Sequence, residues 1–212
     1  MNGGRAGADT PADFGYAVSM RSVCVFCGSS PGFDPIYLDA AALLGQTLAR
    51  RGLTLVYGGA HVGLMGRVAD AALAEGGHVI GVIPQSMVDR EVAHTGLPDL
   101  RIVSTMHERK AVMEALSDGF IAMPGGMGTF EEVCEIFTWG QLGLHAKPCG
   151  LLNVKEFYAP FLSLLDTSVT AGFLKTSHRD MVLVDSDPAS LLDKFARYTP
   201  PTTAKWLTRE TT

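Results

Sequence analysis

Ser22-Val23-Cys24-Val25-Phe26-Cys27 is a run of apolar and small residues, and Gly28-Ser29-Ser30-Pro31-Gly32 follows it directly. A short apolar run that ends in a glycine turn reads as a strand covered on both faces. Working outward, similar runs recur at 53–57, 79–83, 119–123 and 149–154, with shorter ones at 101–103 and 181–184. Between them, apolar residues at helical spacing predict helices over 36–51, 65–75, 108–116, 129–142, 157–169 and 188–198. Gly52, Gly76-Gly77 and Gly172 stand where those helices would stop. Such alternation predicts an α/β fold, a parallel sheet of about seven strands with helices on both faces.

The 212 residues suit one domain, expected over 21–199. Residues 1–20 are rich in Gly, Ala and Asp without periodicity and read as a flexible leader, and 200–212 as a tail after a helix stop. The net charge of −5 and the absence of a basic run argue against nucleic acid and against a polybasic membrane contact. No apolar stretch approaches the roughly 18 residues of a membrane span, and the first residues lack a secretory h-region. The expected address is cytoplasmic.

Cys24 and Cys27 form a C-x-x-C, but positions three apart on a strand point to opposite faces, so redox or zinc chemistry is not expected there. His61, His78, His94, His107, His145 and His178 show no metal-ligand spacing, and no metal is expected.

In a sheet of this kind ligands sit beyond the carboxyl ends of the strands. Three loops there are glycine-rich: the one opening with Gly28-Ser29, the one from Gly58-Gly59 to Gly66, and Pro124-Gly125-Gly126-Met127-Gly128-Thr129. Glycine lets backbone N–H groups approach an anion, and the following helix presents its positive end, so the three loops suggest a phosphate or nucleotide cradle. The Walker A pattern is absent, which disfavours a P-loop hydrolase. Gly126-Met127-Gly128 nearly fits a dinucleotide fingerprint, but Glu131 stands at its last glycine and the loop follows the wrong strand.

Glu131 and Glu132 would lie in the first turn of the following helix, where carboxylates commonly serve only to complement the dipole. Beside an anion cradle, a carboxylate held ionised by that position would equally suit a base or a stabiliser of positive charge. Met106-His107-Glu108-Arg109-Lys110 puts two cations at another helix start, either as a solvated face or as an anion clamp. Together these groups suggest a phosphorylated sugar or nucleotide whose glycosidic bond is broken through an oxocarbenium-like transition state.

These residues carry a resemblance. Pro124-Gly125-Gly126-Met127-Gly128-Thr129-Phe130-Glu131-Glu132 matches the P-G-G-x-G-T-x-x-E motif, and Met106 to Lys110 the M-H-x-R-K motif, of the LONELY GUY family of cytokinin-activating phosphoribohydrolases. That family is also labelled lysine decarboxylase-like. The opening strand, the second glycine loop, Trp139-Gly140-Gln141-Leu142-Gly143 and Gly150-Leu151-Leu152-Asn153 are similar too, and the likeness spans 22–198. It implies a Rossmann-like three-layer fold, a homodimer and no cofactor. It also implies hydrolysis of N6-substituted adenosine 5′-monophosphates, and of AMP, to free base and ribose 5-phosphate. Carried over residue by residue, Arg109 and Glu132 are catalytic. Lys110, Gly125, Gly126, Met127, Gly128, Thr129, Phe130, Glu131, Glu91 and Thr138 touch substrate, with Gly28, Ser29, Gly58 and Gly59 from the other two loops.

Two rivals stand beside that reading. A lysine decarboxylase wants a Schiff-base lysine, for which Lys110, Lys147 and Lys155 are the candidates. A non-catalytic nucleotide carrier would use the same fold without turnover.

Overall fold

The computed structural model describes residues 20–201 apart from Glu91. The expected leader up to residue 19 and the tail from residue 202 lie outside the described residues. All seven expected strands form: Ser22–Phe26 (β1), Thr54–Tyr57 (β2), Val79–Pro84 (β3), Asp99–Val103 (β4), Phe120–Ala122 (β5), Cys149–Leu152 (β6) and Val182–Asp185 (β7). They make one parallel sheet in the order β4-β3-β2-β1-β5-β6-β7. The chain winds outward from β1 to β4, crosses back to pair β5 with β1, and winds the other way. Val25 sits at the divide, in register with Tyr57 on one side and Ile121 on the other. A crevice opens at the carboxyl ends where the winding reverses.

The helices are Ile36–Arg50 (α1), Gly63–Ala74 (α2), Gln85–Val88 (α3), Met106–Ala115 (α4), Met127–Gln141 (α5), Ala159–Thr170 (α6), Thr176–Arg179 (α7) and Pro188–Ala196 (α8), with a 3₁₀ turn at Val154–Glu156. The four-residue α3 and α7 are too short to carry a periodic signal. Gly52, Gly76 and Gly172 hold positive φ at the helix ends where they were expected.

Strand alternation divides the core in two. Val23, Val25 and Cys27 face α1, α2 and α8 through Leu44, Leu48, Val68 and Leu191. Cys24 and Phe26 face α4 and α5 through Met113, Val133 and Ile136. The two sulfurs therefore point apart, as expected, and burial pushes both thiols well above the ordinary range.

Three helices begin two residues earlier than periodicity indicates: α2 at Gly63, α4 at Met106 and α5 at Met127. Their first residues border the crevice more than the core, so the apolar pattern there is weak: Met106 and Met127 are exposed, although in α2 Leu64 of the first turn reaches the core. This corrects the placement of Glu131 and Glu132, which lie in the second turn of α5, with no acidic residue in its first.

Two buried tyrosines differ in a testable way. The Tyr158 hydroxyl donates to the Met123 carbonyl at 2.7 Å, whereas the equally buried Tyr57 hydroxyl has no hydrogen-bond partner among the described protein atoms. Denaturant unfolding should show Tyr158→Phe losing about 1–2 kcal/mol and Tyr57→Phe losing less or gaining. Equal losses would contradict that difference.

Candidate active site

The three glycine loops meet at the reversal point. Gly28 N–H donates to the Pro124 carbonyl at 3.0 Å, and Leu64 N–H donates to the Gly28 carbonyl at 3.0 Å. These bonds tie the loops after β1, β2 and β5 into the floor of a cavity of about 580 Å³, a size suited to a small-molecule ligand. Gly28, Ser29, Gly58, Gly126, Met127, Gly128 and Thr129 line it, as do Arg109 and Glu132.

One wall is the N-terminus of α5. No side chain caps that end, so the N–H groups of its first turn are left for another acceptor. Together with the helix dipole they form an anion site. Gly125 makes the turn possible, since a Cβ there would lie 2.1 Å from Thr129 Oγ1. The N-terminus of α4 is different. Thr105 Oγ1 accepts from Glu108 N–H at 3.1 Å, and the Glu108 carboxylate accepts from Ser104 N–H at 2.8 Å. That helix end is closed by its own residues, so Arg109 and Lys110 do not extend an anion clamp from it.

Arg109 and Glu132 are both nearly out of contact with solvent. Arg109 Nη1 donates to Glu132 Oε1 at 2.9 Å, and Arg109 Nε donates to the Val82 carbonyl at 3.2 Å. The guanidinium fits because position 58 has no side chain: a Cβ on Gly58 would stand 2.1 Å from Arg109 Nη2. Burial raises the Glu132 carboxyl above its usual range, and the adjoining Arg109 only partly offsets this. The expectation of a carboxylate held low by the helix N-terminus is thereby corrected. Glu132 lies one turn too deep in α5, and desolvation outweighs the dipole.

Lys110 does not line the cavity. Its ammonium is paired with Glu131 and, at 3.0 Å, with Glu135. Burial alone would lower its pKa, but the two carboxylates outweigh burial and hold it above the ordinary lysine value. Glu131 is thus spent on Lys110. Gly125 borders a smaller adjoining cavity of about 260 Å³. Phe130 does not line the main cavity; it stacks on Phe157 at 6.2 Å between ring centres, and Phe157 lines the smaller one. Thr138 is exposed further along α5 and donates to the Cys134 carbonyl at 2.7 Å. Gly59 packs behind the wall, against Ile83 and Leu100. Glu91 lies outside the described residues.

The far end of the cavity is apolar, with Met65, Met87, Met106, Val62, Ile83 and Val92 along it. Sequence reasoning missed these residues. The available signal was methionine and valine clustered just past the strand ends, instead of at core positions. Among the described residues no lysine lines the cavity. Lys147 is bound to Glu114 and Lys155 to Asp34, which leaves a Schiff-base reading without a residue. Among the described residues no His, Cys, Asp and Glu cluster suits a metal, and no helix is long and apolar enough to cross a membrane.

Residues 65–195, more than half the chain, match the family model described as "Possible lysine decarboxylase". The cytokinin riboside 5′-monophosphate phosphoribohydrolase LOG of Oryza sativa subsp. japonica is 49% identical over 180 residues, covering 85% of this chain and 74% of that protein. The phosphoribohydrolase LOG2 of Arabidopsis thaliana is 46% identical over 180 residues, covering 85% and 84%. Among solved structures, a molybdenum cofactor binding protein of Rippkaea orientalis superposes with a TM-score of 0.62 at 23% identity, over 84% of this chain and 96% of that one. At that identity the likeness shows the fold alone. The extent of the matches to the two phosphoribohydrolases, together with the family model, establishes that this chain belongs to the LONELY GUY phosphoribohydrolase family.

Proposed function

We propose that the protein is an N-glycosidase that hydrolyses N6-substituted adenosine 5′-monophosphates of the cytokinin type, and AMP, to the free base and ribose 5-phosphate. The observation that carries this reading is the buried Arg109–Glu132 pair on the wall of a cavity that also holds the uncapped N-terminus of α5. The 5′-phosphate takes the N–H groups of Met127, Gly128 and Thr129, and the base lies toward the methionine-lined end. An apolar N6 substituent suits that end, because methionine adapts to irregular shapes. The ribose C1′ then comes beside Glu132. As the bond from C1′ to the base breaks, the Glu132 carboxylate stabilises the positive charge on the sugar and takes a proton from the attacking water. The water oxygen bonds to C1′, and the base leaves with the bond's electron pair and takes a proton from solvent, to which Glu132 returns the one it received from the water. Arg109 cannot act as an acid or base; it orients Glu132 and favours its ionised form.

Met106 and Met127 at the cavity and Ile102 on the edge strand β4 are exposed apolar side chains, which fit the homodimer that the resemblance implies. All four cysteines are free thiols, in keeping with a reducing, cytoplasmic setting. Residues 21–199 are read as one catalytic domain.

The direct test is chromatography of AMP and N6-isopentenyl-AMP after incubation with the purified protein. Free base and ribose 5-phosphate are expected, and recovery of both nucleotides intact would favour a carrier instead. Glu132→Gln should reduce kcat by about a thousandfold while nucleotide binding, measured by calorimetry, persists; retained turnover would remove Glu132 from its role. Gly58→Ala should cost about a hundredfold in kcat by displacing the guanidinium, and should lower the unfolding midpoint as well, because the buried ion pair is disturbed.

The pH profile follows from the raised Glu132 carboxyl. Activity needs the ionised form, so the acid limb of kcat/KM should lie above the ordinary glutamate value of 4.5. Because the folded protein holds this proton more tightly than the unfolded chain, the Glu132 contribution to stability is present at low pH. It is lost as pH rises through the raised value. An acid limb at or below 4.5 would contradict the assignment.

A further inference from the structure

The connection from β3 to β4 does not leave the sheet by the shortest path. After α3 it turns back across the carboxyl ends as a strap, residues 92–97. Ala93 makes an isolated antiparallel bridge with Ala60 in the loop after β2. His61 N–H donates to the Val92 carbonyl at 3.0 Å, and His94 N–H donates to the Gly59 carbonyl at 2.8 Å. The His61 ring adds a contact, its Nδ1 at 3.0 Å from the Val92 carbonyl. Beyond this short pairing, one side-chain bond ties the strap to a long helix. His94 Nε2 donates to Asp70 Oδ1 of α2 at 2.9 Å. The imidazole is 13% exposed and the carboxylate 63%.

The place of this bond gives it a function. The same connection supplies Met87 and Val92 to the apolar end of the cavity. The catalytic pair and the anion site belong to α4 and α5. A shift of the strap therefore changes the room at the apolar end and leaves Arg109, Glu132 and the first turn of α5 in place. We propose that His94, bonded to Asp70, is a positioning residue that seats the strap and so sets the enzyme's preference for an apolar substituent on the base. This rests on the reading of the cavity as a nucleotide site. With the latch intact, Val92 is held against the substituent; with it broken, the strap keeps its backbone pairing, the His61 ring contact and the buried Leu97, but loses its tie to α2, and the wall at Val92 loosens. An unsubstituted base does not use the wall and is indifferent to the latch.

The test is steady-state kinetics with AMP and N6-isopentenyl-AMP on the wild type, Asp70→Ala, Asp70→Asn and His94→Ala, with a thermal melt of each. Asp70 is exposed on α2, so its replacement opens no core. Asp70→Ala and His94→Ala are expected to raise KM for N6-isopentenyl-AMP about fivefold, the loss of one hydrogen bond. The kcat values and the KM for AMP should be unchanged. Asp70→Asn keeps an acceptor at the same place and should restore most of the preference. If KM rises equally for both nucleotides, or for neither, in a folded Asp70→Ala protein, the positioning role is overturned. A wild type that hydrolyses neither nucleotide overturns the functional reading itself, a result distinct from the first because there the wild type is active.

Discussion

The ion pair between Arg109 and Glu132 is the constraint around which this protein is arranged. Two opposite charges removed from water are tolerable only with good geometry, and removing one partner from such a pair typically costs about 3–5 kcal/mol. The structure meets this demand from several sides. The Val82 carbonyl takes a second guanidinium N–H, and position 58 is left without a side chain. Even so, burial wins at Glu132 and raises its affinity for a proton. A carboxylate less well solvated than it would be in water is a better partner for positive charge developing on a sugar. The same desolvation that weighs against the fold makes the group useful.

Topology explains how the pair can form. In the sheet, β3, β2 and β1 lie between β4 and β5. Arg109 follows one of these strands and Glu132 the other, so a simple loop could not join them. The crossover helix α4 packs on β3 on its way back toward the centre, and its Arg109 meets the carbonyl of Val82 in that strand. The reversal in winding thus carries a cation from the sheet's edge to the crevice beside β1. The glycine loops close around that crevice and leave the start of α5 open to it.

Much of this was legible in the residues themselves. Continuous apolar runs located the five inner strands, because strands buried on both faces show no competing pattern; the edge strands β4 and β7 left only shorter runs. The glycine loops could be read from residue type and spacing, whereas Arg109 and Glu132 stood out from their helix-start neighbours only through the family resemblance; the structure brings both to the same cavity. Helix starts at the crevice were not legible, since first turns that face a cavity have no reason to be apolar. The ionisation of Glu132 was misjudged for a related reason: the dipole is a local property, whereas desolvation depends on what packs above it. Lys110 shows the limit of motif reading. Adjacent to Arg109 in sequence, it addresses carboxylates on the outer side of α5. The apolar end drew its residues from the start of α2, from β3 through α3 to the strap, and from the start of α4, which no local window reveals.

The arrangement of Arg109 and Lys110 has a mechanical meaning. Neighbouring residues on a helix point about 100° apart. Arg109 therefore grips α5 at Glu132, while Lys110 grips it at Glu131 and Glu135, one turn apart. Two pins set at different angles stop a shaft from turning, where one would only stop it from sliding. The helix whose uncapped first turn opens to the cavity is locked in azimuth against the helix that carries the arginine. Anion receptor and carboxylate thus keep their relative bearing before any ligand arrives, and the two cations are not interchangeable: exchanging their order would key the shaft to a different angle.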